Sequence, residues 1–228
     1  MNTVKVTWLG QAGLLFECCK KRIIIDPYLS DSVGAIDEKK HRRAPVDERF
    51  LKINPDVIVL THDHLDHTDP ETLAHYLEED TGVCVLASRN AWQRVRKFGG
   101  NNNYVCFDRR TEWTEGGVTF MAVKAEHSDD RAIGVIIKAG DKVYYVTGDT
   151  LYNEDIFGDL PTHIDYVFLP VNGVGNNMNF ADGARFCERI GCTAIPMHCG
   201  LFDSLDMNDF PYENKIVPKI YKEIDLEV

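Results

Sequence analysis

Two stretches of this chain share one spacing. Asp56-Val57-Ile58-Val59-Leu60 and Asp165-Tyr166-Val167-Phe168-Leu169-Pro170 are apolar runs that open on aspartate. Each leads through a polar loop and about ten residues of helical pattern to a second apolar run that opens on glycine. From Asp56 to Gly82 is 26 positions, and from Asp165 to Gly191 is again 26. Ahead of each stretch lies a hairpin signal: Gly13–Cys18 and Arg22–Asp26 about Lys20-Lys21, then Ile133–Lys138 and Val143–Thr147 about Gly140-Asp141. Apolar runs without alternation read as strands buried on both faces. Two halves built alike stack sheet on sheet with helices outside, so the fold class expected is α/β (α+β), a four-layer αββα sandwich of two similar halves in one domain over residues 1–228.

Around that frame, Val4–Leu9, Val83–Leu86, Tyr104–Phe107, Val118–Val123 and Ala194–Met197 read as strands, and Asn90–Phe98 as a basic surface helix. Asp69-Pro70-Glu71 is a helix start, with Asp as N-cap and Pro at the first helical position, and the helix is expected to reach about Glu79. The halves differ in one place. From Asp26 to Asp56 is 30 positions against 16 from Asp149 to Asp165, and the surplus falls in residues 28–46, which are polar and aperiodic. That segment reads as a long loop or lid.

The chemistry collects where the first repeated strand ends. Thr61-His62-Asp63-His64-Leu65-Asp66-His67 places three imidazoles and two carboxylates within residues 62–67. Loops after strands are where sites are built in such folds. His62 and His64 project the same way from extended chain, while Asp66 and His67 approach from beyond a turn. Neutral imidazoles with a carboxylate suit zinc, manganese or iron better than calcium or magnesium. The alternative is a solvated loop rich in His and Asp. Three further residues end strands as ligands would: His127 after Val118–Val123, Asp149 after Val143–Thr147 through Gly148, and His198 after Ala194–Met197.

The net charge of −11 argues against nucleic acid as a partner, because phosphate binding needs clustered Lys and Arg. No apolar run approaches 18 residues and the first residues carry no signal-peptide pattern, so no membrane association and a cytoplasmic location are expected. Seven cysteines without CxxC or zinc-finger spacing read as free core thiols. Homo-oligomeric assembly is left open.

The HxHxDH run, the single His127, the Gly148-Asp149 pair and the C-terminal His198 resemble the metallo-β-lactamase fold superfamily. The likeness covers nearly the whole chain, the internal duplication included. It implies a binuclear site of two divalent transition-metal ions, Zn2+ or Mn2+ with Fe a further option. His62, His64 and His127 would hold one ion, Asp66, His67 and His198 the other, and Asp149 would bridge them. A water shared by two such ions becomes hydroxide near neutral pH and attacks a carbonyl or phosphoryl centre, and Asp66 would relay the proton as the catalytic carboxylate. Asp26 matches an aspartate such folds carry in the early hairpin, orienting a ligand histidine or the loop backbone.

Within the superfamily, Trp8-Leu9-Gly10-Gln11-Ala12-Gly13, Gly148-Asp149-Thr150-Leu151-Tyr152 and Ile195-Pro196-Met197-His198 look like runs of the L-ascorbate-6-phosphate lactonase branch. Arg43-Ala44-Pro45 is similar to an Arg-x-Pro element there. This chain is much shorter than that lactonase. The function implied is hydrolysis of a small anionic ester or lactone, with a phosphodiesterase as the alternative enzyme and a non-catalytic metal-binding sensor as the alternative of another class. For the substrate, Arg43 is the candidate anion clamp, against a solvated Arg42-Arg43 pair. Asn172 and Asn177, at the pseudo-symmetric partner position of His62–His67, are candidates to line the mouth, against a turn role. Tyr152 is a candidate hydrogen-bond donor to an oxyanion, against packing.

Overall fold

The computed structural model describes residues 4–77 and 82–226. The strands in chain order are β1 Lys5–Gly10, β2 Gly13–Cys18, β3 Lys21–Ile25, β4 Val57–Leu60, β5 Cys84–Ala87, β6 Asn103–Cys106, β7 Glu112–Glu115, β8 Val118–Lys124, β9 Ile133–Ala139, β10 Lys142–Val146, β11 Tyr166–Pro170 and β12 Thr193–Met197. The α-helices are α1 Ser32–Ile36, α2 Pro70–Leu77, α3 Arg89–Val95 and α4 Phe180–Ile190. The strands form two six-stranded sheets, β1 to β6 and β7 to β12, each ordered as in the chain.

The duplication is visible in the hydrogen bonds. In the first sheet β1, β2 and β3 are antiparallel and β3 to β6 parallel. In the second, β8, β9 and β10 are antiparallel and β10 to β12 parallel. The aspartates that open the repeated strands do the same work in both halves. Asp56 accepts Lys21 Nζ at 3.1 Å and the Arg22 N–H at 2.9 Å. Asp165 accepts Lys142 Nζ at 2.9 Å and the Val143 N–H at 2.8 Å. Each carboxylate therefore pins the hairpin strand to the next strand at one fixed register.

Strand alternation divides the side chains among four layers. Phe16 meets Tyr144 and Phe168 edge-on, with centroids 5.5 and 5.6 Å apart, so the two sheets pack face to face. The neighbouring residues point outward. Leu15, Ile24, Ile58 and Val85 pack with Leu73, Tyr76, Ala91 and Val95 of α2 and α3. On the other side Tyr145 packs against Phe186 of α4. This is the αββα sandwich of two similar halves.

One edge of each sheet is covered by the chain's own end. Tyr221 and Ile224 donate N–H bonds to Trp8 and Val6 along β1, and Ile216 donates to Ala194 along β12. Pro196 is tolerated in β12 because that is an edge strand. No helix among the described residues is long and apolar enough to cross a membrane. None of the seven cysteines is in a disulfide.

Three local readings change. β7 carries a single apolar residue, Trp113, is exposed on alternate residues, and pairs with β8 at the sheet edge. The predicted helix Asn90–Phe98 begins at Arg89 and tightens to a 3-10 turn over Arg96–Phe98. Residues 28–46 are not featureless: α1 and a 3-10 turn at Glu38–Lys40 lie within them. Arg42 pins this segment by donating to the Tyr28 carbonyl at 2.7 Å and the Tyr221 hydroxyl at 2.7 Å. The expected end of α2 at Glu79 lies outside the described residues.

Candidate metal centre

The loop after β4 is shaped by its own hydrogen bonds. Thr61 donates its N–H to Asp26 Oδ1 at 2.8 Å and its hydroxyl to Asp26 Oδ2 at 2.5 Å. Thr68 donates its hydroxyl to the His62 carbonyl at 2.7 Å, and the N–H groups of His67 and Thr68 both reach the His64 carbonyl. Asp69 then caps α2 through the Thr72 N–H at 3.1 Å, as its place before Pro70 implied. Asp129 accepts the Asp63 N–H at 2.9 Å and Arg94 pairs with Asp63, so the solvent side of the loop is held too.

Backbone of unusual conformation delivers two of the remaining groups, Asp149 and His198. Asp149 follows Gly148 at φ +61, where a Cβ would stand 2.7 Å from the Ile133 carbonyl oxygen. Only glycine fits that crossing of β9 and β10. His198 has φ +67 and donates its N–H to the Gln11 carbonyl at 3.2 Å. Non-glycine residues at positive φ cost free energy and collect at functional sites.

The seven side chains converge from four strand ends. Their ligand atoms form three overlapping groups: His62, His64 and His127; His62, His67 and Asp149; and Asp66, His67 and His198. Within each group all atoms lie within 4.8 Å of one another. His127 Nε2 is 3.1 Å from His64 Nδ1, and His67 Nε2 is 3.2 Å from Asp149 Oδ1 and 3.2 Å from His198 Nε2.

The donor set fits divalent transition metals. His62 Nε2 is buried and has no hydrogen-bond partner, so its lone pair points into the space the other ligands surround. Burial holds the His62 imidazole well below the usual histidine range, and the neighbouring His67 adds to this. Burial lowers His127 also. Both rings are therefore neutral, the form that binds metal. Burial disfavours a charged His67, but Asp149, Asp26 and Asp66 together outweigh it and raise that ring well above its ordinary range. Burial likewise pushes the Asp66 carboxyl up, and the His67 and His198 rings more than reverse this, leaving it ionised.

The other sequence-predicted residues are distributed as follows. Asp26 Oδ2 lies 2.9 Å from His67 Nδ1, the position of a ligand-orienting carboxylate. Asn172 Nδ2 is 3.1 Å from His198 Nδ1, and Asn177 donates to Asp149 Oδ2 at 3.0 Å, so both amides touch metal-ligand candidates. Arg43 lines a cavity of about 490 Å³ together with Trp8, Cys199, Leu201, Leu205 and Met207; none of the seven ligand candidates lines it, although Cys199 follows His198 in the chain. Its guanidinium donates to the Asp203 carbonyl. The Tyr152 hydroxyl donates to Glu154 Oε1 at 2.8 Å, and the ring lies under Arg185 among Phe157 and Phe186, in the layer of α4. Sequence reasoning gave no role to Gln11, which is 2% exposed and donates to Asp66 Oδ2 at 2.9 Å. Its signal was a polar residue between Gly10 and Gly13 in an otherwise apolar hairpin.

Residues 21–199, well over half of the chain, match the family described as Beta-lactamase superfamily domain. The chain belongs to this family. It is 27% identical over 241 residues to a UPF0173 metal-dependent hydrolase of Thermoplasma volcanium, covering 98% of this chain and 99% of that one. Its fold is similar to that of a metallo hydrolase from the archaeon Ignicoccus hospitalis, with TM-score 0.75 at 18% identity, over 96% of this chain and 97% of the other. A metallo-β-lactamase fold protein from Bacillus subtilis gives TM-score 0.73 at 16% identity, over 98% and 99%. With the ligand constellation, this places the chain among the metal-dependent hydrolases of the metallo-β-lactamase fold.

Proposed function

We propose that this enzyme holds two divalent transition-metal ions, zinc or manganese with iron as the further option, and hydrolyses a small anionic ester or lactone such as a sugar-phosphate lactone. The observation that carries the paired site is the overlap of the ligand groups: His62 belongs to two of them and His67 to two. His62, His64 and His127 would hold one ion, Asp66, His67 and His198 the other, with Asp149 between them. The ions would supply Lewis acidity and a bound water acidified towards neutral pH.

The chain's own groups do the rest. Asp26 accepts the Nδ1 proton of His67 and so presents the Nε2 lone pair. Asp66 Oδ2 is engaged by Gln11 and faces His198, and its other oxygen would be the one to take a proton from the attacking water. Arg43 would offer the cavity it lines, which reaches Cys199 next to His198 in the chain, a forked cation for the substrate's phosphate or carboxylate. Asn172 would contribute an amide donor at the mouth, while Asn177, buried and donating to both Asp149 Oδ2 and Asn172 Oδ1, would hold these two groups in place.

A panel of lactones, phosphodiesters and thioesters, assayed with each metal, tests this reading. Turnover should be greatest on anionic lactones or esters and at least about 10-fold lower on neutral analogues, the scale of one charged hydrogen bond. Activity confined to phosphodiesters would replace the reading with the phosphodiesterase one.

A further inference from the structure

We infer that Gln11 is a positioning residue for one half of the centre, the Asp66–His67–His198 half, and sets how tightly that half holds its ion. This role rests on the paired-ion reading above. Gln11 occupies the turn between β1 and β2 at φ +50, directly after Gly10 at φ +93. A glutamine has no local reason to adopt that backbone, and its side chain is almost wholly buried. Two groups of the residue, its carbonyl and its side-chain amide, account for the placement. The Gln11 carbonyl accepts the His198 N–H at 3.2 Å, and also the Trp8 indole N–H at 3.0 Å. The Gln11 amide nitrogen donates to Asp66 Oδ2 at 2.9 Å and stands 3.2 Å from His198 Nδ1.

One residue therefore fixes both a ligand backbone and a ligand carboxylate. His198, the backbone it holds, is itself at φ +67. Among the described residues the hydrogen bonds of Gln11 fall on Trp8 and, of the ligand candidates, on Asp66 and His198 and on none of His62, His64 and His127. Its amide oxygen is buried without a partner, an acceptor left beside the Asp66 carboxylate. Groups that orient ligands in this way change metal affinity by about 10–100-fold when removed. Because Gln11 touches one half alone, its loss should split the two ions.

The experiment titrates metal-free protein with zinc against a chromophoric chelator, and follows cobalt(II) absorption as a second, activity-independent readout. Gln11→Ala is the direct variant, but alanine suits φ +50 poorly. Gln11→Asn is the safer one: asparagine accepts left-handed backbone, and its amide is one methylene too short to reach Asp66. The expected result is two equivalents in the unaltered protein and, in Gln11→Asn, one equivalent unchanged and the other weakened about 10–100-fold. Two equivalents bound as in the unaltered protein, or both weakened alike, would overturn the role of Gln11 alone. A single equivalent in the unaltered protein would overturn the paired site and this role with it.

Discussion

His67 Nδ1 lies 2.9 Å from Asp26 Oδ2 across 41 residues of sequence, and both side chains are sealed from solvent. The same carboxylate takes two bonds from Thr61, so one buried aspartate joins β3 to the ligand loop and selects the His67 tautomer. Asp26→Ala should weaken zinc binding by about 10–100-fold. It should also destabilise the metal-free protein by roughly 1–3 kcal/mol, because the Thr61 N–H loses its acceptor. Chelator competition and urea unfolding measure the two, and unchanged affinity would refute the orienting role.

Gly148 predicts a backbone effect on chemistry. A methyl group there would press on the Ile133 carbonyl and stand 3.0 Å from Thr61 Cβ, at a φ of +61. Gly148→Ala should cost about 1–3 kcal/mol and displace Asp149, lowering the metal bound per chain. A variant with both normal stability and normal metal content would show that Asp149 is not held by this crossing.

Asp159 makes the acid limb of stability legible. The Arg109 guanidinium bonded to it holds its carboxyl below the usual range, with the Lys124 N–H at 3.0 Å and nearby Arg110 adding to this. Its folded-state pKa is thus lower than in the unfolded chain. The stabilisation is present above the unfolded value of about 3.9 and is lost as pH falls through the lower, folded value. Asp159→Asn should flatten the dependence of Tm on pH below about 4. An equally steep acid limb in the variant would count against this ion pair.

Arg43→Ala should raise KM for anionic substrates about 10-fold or more while leaving kcat and neutral esters nearly unaffected, since uniform binding is lost. Arg43→Lys should recover only part, because a lysine cannot present a fork. Equal effects on neutral and anionic substrates would remove Arg43 from substrate recognition.

The fold was readable because its signals are local and doubled. Asp56 and Asp165 open strands whose spacing repeats, and buried runs of four or five apolar residues leave little alternative to parallel strands. β7 was not readable because it offers one apolar residue, Trp113, which packs against the core, and otherwise rests on pairing with β8. The same distinction applies at the centre. Histidines and aspartates at strand ends advertise themselves, whereas Gln11 matters through a turn that brings it to Asp66 from 55 residues away. Tyr152 shows the converse. It follows the Gly148–Asp149 run closely, yet its hydroxyl is directed to Glu154 and Arg189 in the helical layer. Proximity in sequence to a ligand does not fix the direction of a side chain.

The most direct test of the account is the metal content of the protein after reconstitution with zinc or manganese, with His64→Ala alongside. Elemental analysis should give close to two ions per chain in the unaltered protein and close to one in His64→Ala, which should stay folded because His64 is partly exposed in the loop after β4. No bound metal in the reconstituted, unaltered protein would contradict the account.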